Sequence, residues 1–415
     1  MKKALFLLLT LVLLASFCLS SCKKDTPEND SGTDKTQSMT PTIDISPDGY
    51  WIINGVKTNE YYDPKYAPYS EDSTSVYGIH LFSDLETLKK SGNNNGILAI
   101  REFRRAFSLA LNRIDIIEKI WSGKCTPCLS PLNSAYYYDF ESSSVLADGG
   151  KYRYSVQAKD GMLRAYGYTQ DTEGYWAIGT LEGLTLDEAY EALTGYNIDL
   201  AKQEFRAAID ILFANPEFYG YNSHKRITLV YGAPIDNDKQ RFRAQYLQGV
   251  IDKLTTGTVL EGEIKIKFDT SAADQWAEAF RAGDIQIGFG YGFQGDALNP
   301  FYTIGSFINP DDDLNYHQYW DTSDIDLTLT MPMSYDHYDG AGETITMSIL
   351  NWYYCLNGLA EENNQPKTYN WSKEFVPAYE RLSILSALEK AILNECHYIV
   401  LFTDYRGVFD GEPLA

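Results

Sequence analysis

The sequence of 415 residues lacks the standard signatures of catalysis and cofactor binding. It contains no glycine-rich phosphate loop, no GxSxG nucleophile motif and no HExxH zinc motif. The three adjacent acids Asp311–Asp313 cannot all face one Ca²⁺ ion, so they indicate a solvated acidic turn. The five histidines are scattered through the chain and form no metal-ligand pattern. We therefore predict a protein that is not an enzyme and has no catalytic residue, cofactor or metal site.

Positive charge is also scarce. The chain has 35 lysines and arginines against 57 aspartates and glutamates, which gives a formal net charge of -22. An acidic surface repels the phosphates of DNA and RNA, because nucleic-acid affinity depends on neutralising those phosphates. The composition therefore excludes nucleic acid as a partner.

Long apolar runs are missing except at the N-terminus. Residues 4–17 are almost wholly apolar, but this run is shorter than the about 20 residues that a membrane-spanning helix needs. Lys2 and Lys3 precede the run, and Leu19-Ser20-Ser21-Cys22 follows it, which resembles the bacterial lipobox. The resemblance implies a signal peptide at 1–21. An uncleaved anchor helix, or a secreted protein in which the cysteine is incidental, is the alternative.

The lipobox resemblance implies that Cys22 becomes the mature N-terminus and carries acyl chains that partition into a bilayer. Residues 22–40 are polar and rich in Lys, Asp, Ser, Thr and Pro, which is typical of a flexible tether. We therefore expect an exported protein in the cell envelope, anchored by its lipid at the extracellular or periplasmic face of a membrane.

Four cysteines remain after the signal peptide and Cys22, namely Cys125, Cys128, Cys355 and Cys396. Disulfides are permitted outside the cytoplasm. Cys125-Thr-Pro-Cys128 has the spacing of a thiol-redox motif, but it follows the end of a predicted helix, where the dipole does not favour a thiolate. A structural role is the better interpretation of this pair, and thiol-redox chemistry is the alternative.

The first segment after the tether has the pattern of a β-meander. At 41–58, Ile43 and Ile45 alternate with polar residues, and the apolar run Tyr50–Ile53 lies between two turn sequences. Residues 59–95 are predicted to be a linker or a reduced first-lobe segment.

A strongly amphipathic helix is predicted to begin at Arg101 and to end at Gly123, because apolar residues recur at three- and four-residue spacing. Thr185-Leu-Asp-Glu188 has the pattern of a capping box at the start of a second helix. Further on, predicted helices alternate with predicted strands, at 199–213, 226–231, 238–254, 263–268, 274–281, 285–289, 379–394 and 398–402. This alternation indicates an α/β fold with crossover connections.

Four segments resemble, in order, those of the family 5 extracellular solute-binding proteins, the receptors of ABC importers for oligopeptides, dipeptides and nickel. The segments begin with Phe103-Arg-Arg-Ala106 through Arg113, and continue with Tyr196–Lys202 and Arg226–Tyr231. The most specific one is Asp284–Gly288 followed by Gly292-Phe-Gln-Gly-Asp296-Ala-Leu-Asn-Pro300-Phe301, which is similar to the family motif "YDixxxGWxxDYxDPxxF". The tail Glu389–Leu401 resembles the closing helix and strand.

The resemblance implies a periplasmic-binding-protein-like type II fold, with the family domain at 96–405. Members fold as two lobes that close on the ligand, with a long stretch before the first of these motifs. Here about eighty residues separate Cys22 from Arg101. We therefore expect mainly the second lobe of such a protein, in a truncated or diverged form.

The resemblance also implies a binding site. The family Asp that holds the α-amino group of a peptide corresponds to Asp296, and the family Trp corresponds to Phe293, which would offer an apolar wall. A carboxylate in a closing cleft suits an ammonium group, because charge-assisted hydrogen bonds are the strong ones. Two family positions differ here, where the chain has Ala297 and Asn299.

The predicted function is that of a substrate-binding lipoprotein of an ABC importer. Such a protein binds peptides or similar small solutes outside the cell membrane and delivers them to permease subunits. The alternative is a structural or interaction lipoprotein that retains the lobe fold without transport.

Overall fold

The computed structural model describes residues 43–45, 50–53, 56–61, 71–121, 125–132, 152–272, 275–293, 299–310, 320–331, 340, 342–372, 374–376 and 378–406. The chain divides into two compact units, Met1–Pro68 and Tyr69–Ala415. In the first unit, three antiparallel strands form a meander, with bounds β1 Ile43–Ile45, β2 Tyr50–Ile53 and β3 Val56–Tyr61. Strands β1 and β2 lie where the alternation predicts them. Cys22 and the tether lie outside the described residues.

The second unit is built on a six-stranded mixed sheet. Its strand order is β5-β13-β4-β10-β8-β9. The bounds are β4 Glu71–Leu81, β5 Cys125–Pro127, β8 Ile227–Gly232, β9 Ile264–Asp269, β10 Ile287–Phe293 and β13 Tyr398–Arg406. Strands β10, β8 and β9 are parallel neighbours, whereas β4 is antiparallel to both β10 and β13. The predicted α/β class is confirmed.

Strand β4 lies within 59–95, the segment predicted to be a linker or a reduced first-lobe segment. Residues Glu71–Leu81 form a strand in the middle of the main sheet, paired on one side with β10 and on the other with β13. Only the end of the strand alternates, with Tyr77, Ile79 and Leu81 on one face and Gly78 and His80 on the other, and the polar run at 71–75 precedes it. The sequence therefore gives only a short apolar stripe for this strand.

Twelve helices are described around the sheet. Their bounds are α1 Leu85–Lys90, α2 Arg101–Ala110, α3 Arg113–Ile120, α4 Val156–Ala165, α5 Leu186–Ala192, α6 Ile198–Ala214, α7 Asp238–Thr255, α8 Trp276–Arg281, α9 Pro300–Thr303, α10 Gly305–Ile308, α11 Ile349–Leu356 and α12 Ala378–Glu395. Two short hairpins complete the unit, β6 Trp176–Ile178 with β7 Leu181–Leu184 and β11 Asp326–Thr330 with β12 Thr344–Ser348. No helix in the described part of the chain is both long and apolar enough to span a bilayer.

Two hydrophobic cores lie against the sheet. One contains Ile79, Leu229 and Ile287 from the strands, together with the inner faces of α2, α6 and α7. The other contains Tyr398 and Val400 from β13, together with residues of α10, α11 and α12. The motif segments of α2, α6, β8, β10 and β13 therefore belong to one packed unit.

The predicted single helix over Arg101–Gly123 is two helices in the structure. The backbone of Leu111 is extended, with φ -81° and ψ 114°, and Asn112 caps the second helix by accepting a hydrogen bond from Asp115 N. The break turns Arg113 into the core, where its guanidinium binds the carbonyl oxygen of Val400 at 2.8 Å. Apolar periodicity continues through the break, which is why the sequence conceals it. Gly123 lies outside the described residues.

Candidate functional site

Strands β8, β9 and β10 end at the same edge of the sheet, which we call the carboxyl edge. Because they are parallel, their carboxyl ends point the same way: Gly232 and Asp269 pair at this edge, and β10, whose Ile287 pairs with Tyr231, continues beyond it to Phe293. Ligands of open α/β sheets bind outside the carboxyl ends of strands, where loops converge on the sheet. The carboxyl edge is therefore the place to look for a binding site.

The two faces of β10 differ because glycine alternates with aromatic residues, in the sequence Ile287-Gly-Phe-Gly-Tyr-Gly-Phe293. On the glycine face, the ring of Tyr398 occupies the space that side chains would otherwise fill: a Cβ at Gly292 would lie 2.4 Å from this ring. The Tyr398 hydroxyl lies 3.1 Å from the carbonyl oxygens of both Val76 and Gly290, so it links β4 to β10. The glycines thus allow close packing on one face, and Phe289 lies on the other.

The opposite face carries a group of aromatic side chains that we call the aromatic wall, consisting of Tyr77, Trp121, Tyr231, Phe289 and Phe402. Ring centroids are 5.0 Å apart for Tyr77 and Phe402, 4.7 Å for Trp121 and Phe402, 5.8 Å for Trp121 and Phe289, and 5.6 Å for Tyr231 and Phe289. Tyr77, Trp121 and Phe289 are only partly buried. Such half-exposed rings can bury apolar groups of a ligand.

Arg243 on α7 lies against the aromatic wall. Its guanidinium carbon is 4.2 Å from the ring centroid of Trp121 and 4.9 Å from that of Phe289. The residue is only 6% exposed, and among the described residues it makes no ion pair and its Nε has no hydrogen-bond partner. Buried charges are normally paired, because removing an ion from water costs several kcal/mol. Arg243 is therefore a buried cation held mainly by aromatic rings.

Two polar groups orient Arg243. The amide oxygen of Gln240 accepts a hydrogen bond from Arg243 Nη1 at 3.3 Å and another from the hydroxyl of Tyr231. Burial raises the pKa of Tyr231, so its hydroxyl keeps the proton that it donates. Lys239 adds a second cation, with its Nζ 5.1 Å from the ring centroid of Trp121. In a chain of net charge -22, this is a local concentration of positive charge.

Of the predicted ligand residues, Phe293 is the last residue of β10. The backbone of Phe293 pairs with Val76 of β4 at the end of the strand. Asp296 lies outside the described residues, as do Ala297 and Asp311–Asp313. Asn299 caps α9 by accepting from Phe301 N at 3.1 Å, so the Asn that replaces the family Asp has a structural partner.

The arginines of the first family-like segment are structural. Arg104 donates to the carbonyl oxygens of Glu395 at 2.8 Å and Leu98 at 2.9 Å. Arg105 binds the Glu204 carboxylate at 2.7 Å, and so joins α2 to α6. Arg113 adds bonds to the carbonyl oxygen of Gly195 and the hydroxyl of Tyr166. The spacing of these arginines reflects the packing of helices and not ligand contact.

The four cysteines outside the N-terminal region are all buried, and Cys128, Cys355 and Cys396 are free thiols. Cys125 begins the short strand β5 and does not follow a helix directly, and Cys128 Sγ donates to the carbonyl oxygen of Ser130 at 3.1 Å. Burial raises the pKa of Cys128 to about 12, and that of Cys355 to about 12. Thiols with such pKa values are poor nucleophiles at neutral pH, which argues against the thiol-redox alternative. In the described ranges, no three His, Cys, Asp or Glu side chains are grouped to hold a metal ion.

Sequence reasoning missed Tyr77, Trp121 and Arg243 as site residues. In the sequence, Trp121 continues the three- and four-residue spacing of the helix predicted at 101–123, and Tyr77 lies in the segment predicted to be a linker or a reduced first-lobe segment. The alternation of glycine with aromatic residues in β10 is the signal that could have found this face, because period-2 spacing places Phe289 and Tyr291 at equivalent strand positions, before the irregular pairing between Tyr291 and Phe293. No sequence feature distinguishes buried Arg243 from exposed Arg241.

Neither family models nor curated protein sequences match the chain. Several solved structures resemble it. A peptide-binding protein of a peptide ABC transporter is 14% identical with a TM-score of 0.43, over 80% of this chain and 99% of that one. The pheromone receptor PrgZ, solved for its mode of peptide binding, is 11% identical with a TM-score of 0.45, over 82% of this chain and 44% of its own.

OppA from Listeria monocytogenes, bound to peptide, is 13% identical with a TM-score of 0.44, over 82% of this chain and 44% of its own. The chain thus spans less than half the length of PrgZ and of this OppA. These solved structures are peptide-binding proteins, which is the class of protein that the sequence motifs resemble.

Proposed function

We propose that this chain is a substrate-binding lipoprotein of an ABC importer. It binds peptides or similar small solutes outside the cell membrane and delivers them to permease subunits. The lipid on Cys22 keeps it at the membrane, and it carries out no covalent chemistry. The family-like motifs at 103–113, 196–202, 226–231 and 284–301 support this function, since they occur in the family order.

The single observation that carries the proposal is the buried Arg243, which makes no ion pair with any described residue and lies against the aromatic wall at the carboxyl edge. A peptide is a zwitterion with an ammonium at one end, a carboxylate at the other and apolar side chains between them. Arg243 offers a cation for the carboxylate, and the rings of Trp121 and Phe289 offer surface for side chains. Asp296, three residues after Phe293, supplies the opposite charge for the ammonium.

Titration calorimetry with a mixture of di- to pentapeptides tests the proposal on the full-length chain. We expect saturable binding, weakened about 10- to 100-fold by Asp296→Ala and by Arg243→Gln, because a hydrogen bond to a charged group contributes about 1.5–3 kcal/mol. Arg241→Gln is the matched control: Arg241 lies two residues away on the same helix, is exposed, and pairs with Asp236 at 2.7 Å. That variant should bind as the unaltered chain does.

Blocked peptides separate the two roles. N-acetylated peptides should lose affinity for the unaltered chain but not for Asp296→Ala. Peptides with an amidated C-terminus should lose affinity for the unaltered chain but not for Arg243→Gln. If no peptide shifts the melting temperature or gives heat, the proposal is wrong. The alternative, a structural or interaction lipoprotein, then becomes the better description.

A further inference from the structure

A polar cavity, separate from the aromatic wall, lies at the edge of the sheet opposite the carboxyl edge. It has a volume of about 170 Å³ and lies between the end of α1, the loop at 91–95 and the loop that precedes β8. Its lining includes Lys89, Asn94, Asn95, Tyr219 and Lys225. An engineered cavity of about 150 Å³ in another protein admits benzene, so this volume is enough for a small ligand.

The side chain of Asn94 holds the walls of the cavity together through hydrogen bonds. Its backbone is left-handed, with φ 57°, and its side chain makes three hydrogen bonds to the loop before β8. The amide nitrogen donates to the carbonyl oxygens of Asn222 at 3.0 Å and Lys225 at 2.7 Å, and the amide oxygen accepts from Asn222 N at 2.7 Å. The cavity is therefore a built feature that joins two loops distant in sequence.

Glycines bring the walls together. A Cβ at Gly96 would lie 1.9 Å from the carbonyl oxygen of Tyr219, so only glycine allows these two backbones to approach. At Gly220, with φ 63°, a Cβ would lie 2.8 Å from Lys89 Cγ. The absence of a side chain at Gly220 thus lets the stem of Lys89 lie against the cavity wall.

The lining offers hydrogen-bond donors and positive charge. Asn95 is fully buried; its amide oxygen accepts from Ser91 Oγ at 3.1 Å, while its Nδ2 has no partner among the described residues. Lys89 and Lys225 are exposed at the cavity. Lys89 pairs with Glu86 at 3.1 Å, and Lys225 makes no ion pair in the described part of the chain. A buried donor without an acceptor is uncommon in native structures, and a ligand would satisfy it.

We propose that this cavity binds a small oxyanion of phosphate size, either free or as part of a larger molecule. Lys89 and Lys225 supply the charge that an anion needs to approach a chain of net charge -22, and Asn95, which lines the cavity, supplies a buried donor, its Nδ2, that has no partner among the described residues. The site is separate from the aromatic wall, since it lies at the opposite ends of the strands.

Isothermal titration of the full-length chain with inorganic phosphate at constant ionic strength tests this site. We expect saturable binding that Lys225→Gln weakens about 3- to 10-fold and that Asn95→Leu abolishes. Lys253→Gln, which removes an exposed lysine from the last turn of α7, is the control and should leave binding unchanged. Since Asn95 is buried, circular dichroism and the melting temperature must establish that Asn95→Leu folds. If Asn95→Leu does not fold, Lys225→Gln still tests the site, because Lys225 is exposed.

A second arm distinguishes a free anion from a lipid headgroup. Co-sedimentation with vesicles that contain phosphatidic acid, using a Cys22→Ser chain without its own lipid, should depend on Lys225 if a headgroup is the ligand. Binding of phosphate alone, with no dependence on Lys225 in the vesicle arm, assigns the site to a free anion. The proposal is overturned if phosphate shows no saturable binding at tens of millimolar, or if Lys225→Gln and Lys253→Gln bind it equally.

Discussion

Glu389 on α12 is a carboxyl group that the core of the second unit surrounds almost completely. It is 1% exposed and accepts hydrogen bonds from the hydroxyls of Ser130 and Tyr152, the latter at 2.9 Å. Burial raises the pKa of Glu389 to about 7, since these hydrogen bonds offset the loss of solvation only in part. Glu389 therefore connects helix α12 with the segment at 125–132 and with Tyr152.

This residue predicts a dependence of stability on pH. The folded chain holds the proton of Glu389 more tightly than the unfolded chain, in which the carboxyl has its ordinary pKa of 4.5. The contribution of the protonated group to stability is therefore complete below about 4.5 and is lost as the pH rises to about 7, with a loss of about 3 kcal/mol. Urea unfolding at pH 4.5 and pH 8 measures it.

The comparison for that experiment is Glu389→Gln, which stays neutral at both pH values. We expect the stability of this variant, relative to the unaltered chain, to rise by about 3 kcal/mol from the lower pH to the higher one. The exposed Glu182→Gln serves as control and should show no such rise. Equal slopes for Glu389→Gln and the control would contradict the prediction.

At the scale of elements, glycines at two positions have opposite roles. Gly249 lies inside α7 with no neighbouring atom within 4 Å of an added Cβ, whereas a Cβ at Gly288 in β10 would lie 2.3 Å from the Trp276 ring. The Trp276 ring is held in place because its Nε1 donates to the carbonyl oxygen of Gly232 at 3.0 Å. The glycine of the helix is therefore dispensable, and the glycine of the strand is not.

We expect Gly249→Ala to raise the free energy of unfolding by about 0.5–1 kcal/mol, because alanine has the higher helix propensity. Gly288→Ala should lower it by about 1–3 kcal/mol, because the added methyl group forces Trp276 to move. Chemical denaturation of both variants measures the difference, and the tryptophan fluorescence of Gly288→Ala reports the displaced ring. A stable Gly288→Ala with unchanged fluorescence would refute the packing described for β10.

The side chain of Gln248 covers backbone groups on the outer edge of the sheet, at strand β9. Strand β9 is the last strand, and Gln248 of α7 accepts from Ile266 N at 2.7 Å and donates to the carbonyl oxygen of Ile264 at 3.2 Å. This amide occupies backbone groups that a further strand would otherwise bind, which is one way in which proteins avoid edge-to-edge aggregation.

At the scale of the whole molecule, the proposed lipid anchor on Cys22 would determine where the protein works. Replacing the lipobox cysteine by Cys22→Ser should prevent lipidation and move the exported chain from the membrane fraction to the soluble fraction. Fractionation of cells and the intact mass of the mature chain measure this result. Cys128→Ser, which changes a buried thiol instead, is the control. An unchanged membrane fraction would mean that something other than an acyl chain on Cys22 holds the protein.

The sequence by itself determined much of the second unit. Elements with strong local signals lie where the pattern predicts them: the capping box at Thr185 and Glu188 begins α5, and α6, α7, α12, β8 and β9 match their predicted segments within about two residues. Local periodicity suffices for these elements, because each has one buried side and clear end signals. The order of helices and strands was enough to indicate the α/β class.

Only the tertiary structure decided the rest. Strand β4 has only a short apolar stripe, and its central place depends on Tyr398, more than three hundred residues away, whose ring fills the space beside Gly78. The helix break at Leu111 exists because Arg113 reaches Val400 across the core. Arg243 likewise differs from the exposed Arg241 through the distant rings of Trp121 and Phe289 that lie against it. Each of these features depends on contacts between distant segments, and a local pattern does not contain that information.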